Sequence, residues 1–153
     1  QKFGVTVKEK LKKLKVRARK NGVHNVEGRV INSTKVIKKL HHSADRVLLD
    51  APCSGLGVLR RNPDSKWKLQ PEFIEKIKGV QQEILRNYSK MVKPGGKMVY
   101  ATCSILPEEN SEQVKKFLTS EEGASFSFEK ENNIYASEHG FVGFYMALLR
   151  KKN

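Results

Sequence analysis

Cysteine is scarce in this chain of 153 residues, which holds two, one tryptophan and four histidines. Two cysteines build no disulfide scaffold. With the scattered histidines His24, His41, His42 and His139 they also lack the paired ligand spacing of a zinc site. No apolar run is long enough to span a bilayer. No internal repeat or low-complexity linker interrupts the sequence, so a single domain with one core is expected over residues 1–153. Carboxylates are few: 16 Asp plus Glu stand against 30 Lys plus Arg, a formal charge of +14. That surplus points to a polyanionic partner, nucleic acid ahead of an anionic membrane, although a Lys-rich surface also serves plain solubility. With no signal peptide at its start, the expected location is the cytoplasm, where thiols stay reduced.

What the chain does have is concentrated in two motifs, Asp50-Ala51-Pro52-Cys53-Ser54-Gly55 and Ala101-Thr102-Cys103-Ser104. Each follows a short apolar run, Arg46–Leu49 and Lys97–Tyr100, of the kind that forms strands of a parallel sheet. Helical patterns lie between such runs. Lys8–Lys20 ends at Asn21-Gly22, residues that tolerate a left-handed cap. Ser33–Leu40 is a short helix. Pro71 opens a long helix whose buried face is read as Phe73, Ile74, Ile77, Val80, Ile84, Leu85, Tyr88 and Met91-Val92. Pro107 opens another, through about Leu118. Strands are expected at Phe3–Val7, Val26–Ile31, Ser125–Phe128 and Phe141–Leu149, an irregular loop at Leu56–Leu69 and a turn at Lys93–Gly96. This alternation implies an open α/β sheet, mostly parallel, with helices on both faces.

In such a sheet the ligand crevice lies beyond the carboxyl ends of the strands, so both thiols and Asp50 are expected on one rim. A cysteine becomes nucleophilic as a thiolate, and a helix beginning near Pro107 would favour ionisation of Cys103 through its dipole. A carboxylate at the neighbouring strand end can bond the amino group of a base or hold a proton in transit. Two thiols and a carboxylate in a basic protein suggest covalent chemistry on a nucleobase. Two other readings stay open: inert buried cysteines, and a redox pair that would cycle with dithiothreitol.

The stretches KLKKLKVRARKNGVHNV, RVLLDAPCSGLGVLRRNPDSKW, QQEILRNYSKMVKPGGKMVYATCSILPEENSEQV and GFVGFYMALLR resemble the S-adenosylmethionine-dependent RNA cytosine-C5 methyltransferases that act on rRNA or tRNA. The resemblance runs from about Lys10 to Arg150 and implies a Rossmann-like class I methyltransferase fold. DNA cytosine methyltransferases place their nucleophile in the Pro-Cys motif, and amino-methylating enzymes carry Pro-Pro-aromatic there; neither matches as well. The resemblance implies that Cys103 attacks C6 of cytosine and that Cys53 helps expel the enzyme from the methylated base. It further implies that Asp50 touches the cytosine edge or the amino-acid end of S-adenosylmethionine. Pro52 would border the flipped base, and Arg60, Arg61 and Lys66 would contact RNA, the plainer reading of those three being a solvated basic loop. Asn32 falls near the family's position for an acidic residue on the adenine side.

The sequence departs from the family on the donor side. The glycine-rich loop after the first strand has no counterpart, and Gly95-Gly96 precede a different strand. Near Val5 or Thr6, where the family binds the ribose hydroxyls, there is no carboxylate. An N-terminally truncated catalytic domain is therefore expected, with an open sheet edge beside Arg46–Leu49 and self-association through it. The competing expectation is a non-catalytic RNA-binding module that keeps the fold and the charge.

Overall fold

The computed structural model describes residues 3–31 and 33–153. It comprises two compact units, Gln1–Val36 and Ile37–Asn153. In the first, helix α1 (Phe3–Lys20) ends as the Asn-Gly pair dictates. Gly22 adopts φ +70°, the Val23 amide donates to the Ala18 carbonyl and the Asn21 side chain donates to the Arg17 carbonyl at 2.8 Å. Two expected strands are not formed. Phe3–Val7 belongs to α1, because five residues without a breaker before Lys8 cannot be told from a first helical turn by periodicity. Val26–Ile31 has no regular structure, since an extended run becomes a strand only when a neighbour completes its ladder.

Helix α2 (Thr34–Lys38) lies within the short helix expected at Ser33–Leu40. The second unit then runs through β1 (Ala44–Asp50), α3 (Ser65–Lys68), α4 (Pro71–Ser89), β2 (Val92–Thr102), α5 (Ser111–Leu118), β3 (Phe126–Ile134), α6 (Ala136–His139) and β4 (Phe144–Lys151). Its sheet has the order β1-β2-β4-β3. The α/β class holds, with a mixed sheet: β1 and β2 are parallel, and β4 runs antiparallel to both β2 and β3. Lys93–Gly96 is a bulge rather than a turn. It stands opposite Asp45 alone, where Gly95 takes φ +72° and Lys93 pairs with Asp45 at 3.0 Å.

The register places Leu49, Tyr100 and Ala147 side by side, with Val47, Met98 and Leu149 two residues away on the same face. That face packs against Leu85 of α4 and against Val114 and Phe117 of α5, with Tyr145 and Phe126 completing the core. Both long helices of this unit therefore cover one face. The alternate residues Leu48, Val99 and Leu148 lie on the other, and Leu48 is 70% exposed. The expected face of α4 holds in part: Leu85 is buried, and Ile84 and Tyr88 pack against the core. Gln81, Gln82, Leu85 and Ser89 are buried, whereas Phe73 is exposed. Hydrophobic spacing misses the polar part of this face because two buried glutamines serve polar partners, one set of which belongs to the candidate site.

Candidate active site

The parallel pairing of β1 with β2 is what brings the two motifs together. Asp50 is registered with Ala101, and the Ala51 amide continues the ladder by donating to the Ala101 carbonyl at 2.9 Å. The chain leaves both strands at the same rim. Cys53 and Cys103 then meet with their sulfurs 3.3 Å apart, each half-buried and each a free thiol. The following residues meet as well: Ser54 and Ser104 are buried with their hydroxyl oxygens 3.2 Å apart. Each loop is folded the same way, since Ser54 Oγ accepts the Leu56 amide and Ser104 Oγ the Leu106 amide.

A carboxylate that sequence reasoning missed lies at the join. Glu109 is fully buried on the single turn Pro107–Glu109. Its Oε1 accepts the Ser54 amide at 2.8 Å and the Gln81 side-chain amide at 3.1 Å. Its Oε2 accepts the Ser54 hydroxyl at 2.5 Å and also the Ser104 hydroxyl. The Gln81 amide donates to the Pro52 carbonyl at 2.9 Å too, so its orientation is fixed by two acceptors. Asn110 closes the Thr-Cys loop: it accepts the Thr102 hydroxyl and donates to the Ser104 carbonyl at 3.0 Å. The Tyr100 hydroxyl anchors the turn through the Glu109 carbonyl at 2.7 Å. The signal for these residues was a serine after each cysteine and a Glu-Asn pair shortly after the second.

Glycine permits a second join. The Gly57 amide donates to the Cys103 carbonyl at 2.9 Å, and the Gly143 amide to the Gly57 carbonyl at 2.7 Å. A Cβ on Gly57 would lie 2.3 Å from the Gly143 oxygen and 2.7 Å from the Cys103 oxygen, both backbone atoms that cannot swing away.

Burial, then the hydrogen bond and charge of Cys103, push the Cys53 thiol up to about 12. Cys53 thus keeps its proton beside the other sulfur. The expected helix dipole at Cys103 is absent: a single 3₁₀ turn follows, and α5 begins only at Ser111, beyond the reach of a terminal turn.

The other expected residues are placed less closely. Asp50 is exposed at the carboxyl end of β1, and Pro52 is exposed before Cys53. Arg60, Arg61 and Lys66 are exposed on the segment after the Pro-Cys loop. Among the described residues, no hydrogen bond joins them to either cysteine. Lys66 instead lies over the ring of Trp67 at 4.6 Å. Asn32 falls outside the described residues. No group of three or more metal-ligating side chains occurs among the described residues, and no helix is long and apolar enough to cross a membrane.

A parallel strand pair that delivers two thiols to one rim defines an α/β protein with its candidate site at the strand ends. The profile of the family described as 16S rRNA methyltransferase RsmB/F matches residues 5–150, and the chain belongs to that family. It is 46% identical over 108 residues to a ribosomal RNA small subunit methyltransferase B of Proteus mirabilis, covering 71% of this chain and 25% of the relative. The corresponding protein of Vibrio vulnificus is 48% identical over 112 residues, with 71% and 26% covered. In three dimensions the chain is similar to NSun6 from Pyrococcus horikoshii, solved with SFG: TM-score 0.79, 28% identity, 95% of this chain and 40% of that one. The chain thus spans about a quarter of the length of the curated relatives it matches.

Proposed function

We propose that the two units are parts of one catalytic domain that methylates C5 of a cytosine in RNA, with S-adenosylmethionine as the methyl donor. The observation that carries this reading is the 3.3 Å approach of Cys53 and Cys103 at adjacent parallel strand ends. Attack on C6 of a pyrimidine needs one thiolate, and resolving the adduct needs a second group that can hold a proton at the same carbon pair. The upward shift of the Cys53 thiol supports reading it as the proton holder, with Cys103 as the nucleophile. Its sulfur bonds C6, and the C5=C6 electrons move to C5. The donor, when bound, supplies an electrophilic methyl group there. The C6–sulfur bond then breaks with both electrons going to Cys103, which takes the proton that Cys53 holds 3.3 Å away, and the Cys53 thiolate so formed takes the C5 proton, whose C–H electrons re-form C5=C6.

The described residues fit one end of that donor only. Asp50, exposed at the end of β1, suits its ammonium group or the cytosine amino group. The relatives' names make ribosomal RNA the favoured substrate, and Pro52, Arg60, Arg61 and Lys66 are the proposed contacts to the flipped nucleotide and its phosphates. The chemistry requires reduced thiols, the condition of a cytoplasm. A second reading, a module that binds RNA without catalysis, draws on the single polar group offered to the donor.

Methylation of small-subunit rRNA with labelled donor, using the full-length protein, tests the proposal. Cys103→Ala should abolish transfer and keep RNA binding. Cys53→Ala should leave an RNA–protein adduct that survives a denaturing gel. Normal turnover by Cys53→Ala without an adduct would overturn the assignment of roles. Calorimetry of the 153-residue chain with S-adenosylmethionine separates the readings: no heat at millimolar ligand favours the binding module.

A further inference from the structure

The mechanism above leaves a fully buried carboxylate unused, and its surroundings say what it does. Four donors converge on Glu109: the Ser54 amide and hydroxyl, the Ser104 hydroxyl and the Gln81 amide. They come from three separate parts of the chain, the Pro-Cys loop, the Thr-Cys loop and α4. No cation is among them. A buried carboxylate is costly unless its lone pairs are met, and here both oxygens are met twice by neutral donors. Such an arrangement is poorly explained as general stabilisation, for which an apolar side chain of similar volume would serve as well.

The two serines connect this carboxylate to the thiols. Each directly follows its cysteine, and each gives its one hydroxyl proton to Glu109 Oε2 while accepting an amide two residues on. Their oxygens lie 3.2 Å apart because they share an acceptor, and the sulfurs one residue earlier lie 3.3 Å apart. Gln81 adds a third restraint by tying Glu109 to the Pro52 carbonyl, immediately before Cys53.

We propose that Glu109 is a positioning residue that sets the spacing of Cys53 and Cys103 by clamping Ser54 and Ser104 to one carboxylate. Its side chain is hydrogen-bonded to the serines and Gln81 rather than to either sulfur, and it acts through the loops it joins. The inference rests on the proposed cysteine roles only for its catalytic consequence; the spacing itself can be measured without RNA or donor.

Glutamine at position 109 keeps the shape but replaces one acceptor oxygen with a donor group, so at least one converging donor loses its partner. The test uses dibromobimane, which becomes fluorescent when its two bromomethyl carbons are each attacked by a thiolate, expelling two bromides and bridging the sulfurs. Monobromobimane reports single alkylation. In the 153-residue chain, the ratio of bridging to single alkylation should fall at least fivefold in Glu109→Gln, with the circular dichroism spectrum retained. Ser54→Ala and Ser104→Ala, each removing one arm of the clamp, should lower it at least twofold. They decide the matter if Glu109→Gln does not fold. Unchanged ratios in the folded variants would overturn the proposal. Unfolding of both serine variants would also overturn it, because the network would then hold the fold rather than the spacing.

In the full-length methyltransferase, Glu109→Gln should lower kcat at least tenfold and leave KM for RNA within twofold. A rise in KM alone would overturn the positioning role. Absence of methylation by the unaltered protein would instead refute the proposed function, and the bridging ratios would still stand.

Discussion

Cys53 and Cys103 are the same side chain in unequal surroundings. The native state holds the Cys53 proton that an unfolded chain releases near pH 8.5. Its native value is raised, so the associated stability is complete below the unfolded value and is lost as pH rises toward the native one. Thermal melts of the chain should therefore show falling stability from about pH 8 to 10, and Cys53→Ser should flatten that fall. Equal slopes in both proteins would show that Cys53 ionises normally in the native state. Above pH 10 the buried Tyr100 and Tyr145 hydroxyls, also shifted upward by burial, add a decline of the same sign in both proteins.

Among the elements, the segment after the Pro-Cys loop shows how backbone packing supports the side-chain geometry. Gly57 lets that segment lie directly on the Cys103 carbonyl and the Gly143 backbone. Gly57→Ala puts a methyl group into a gap bounded by backbone oxygens, so a strand end or a loop must move. Urea denaturation should register a loss of about 2 kcal/mol or more, in the upper range for overpacking. The bridging ratio of the thiols should fall with it. A variant of wild-type stability would show that the approach of these two loops is loose. Helix α4 makes a related point. Gln82 donates to the Gln113 side chain and carbonyl, tying α4 to α5, while Gln81 one residue earlier reaches the site. One helix face thus links the core to the site through amides.

At the scale of the molecule, charge and the open edge of β1 govern behaviour. On the proposed function, a chain of charge +14 would gain RNA affinity by releasing counterions. For about four phosphate contacts to single-stranded RNA, affinity should fall on the order of fiftyfold between about 50 and 200 mM salt. Filter binding across that range checks it, and a flat response would remove the basic surface from the RNA site. Along β1, a groove of about 430 Å³ is bordered by Val47, Leu48, Ile84, Tyr88 and Met91, beside a strand that pairs on one side only among the described residues. The expected self-association should appear in sedimentation as a concentration-dependent dimer. Leu48→Lys should shift it toward monomer, because a charge on an exposed edge strand opposes pairing. A monodisperse wild-type chain at high concentration would refute this.

The sequence by itself determined the α/β class, the strands that end at the two motifs, the long helix opened by Pro71 and the two thiols as candidates on one rim. These are local properties: short apolar runs, a proline at a helix start, a cysteine after a strand. The tertiary structure decided the rest. Glu109 lies 55 residues from Ser54 and 28 from Gln81, and no periodicity marks a carboxylate whose partners are so distant. The Phe3–Val7 and Val26–Ile31 runs look like strands in isolation, yet a strand exists only where another supplies its hydrogen bonds. The upward shift of the Cys53 thiol likewise depends on burial and a neighbouring sulfur, which arise only when β1 and β2 pair in parallel.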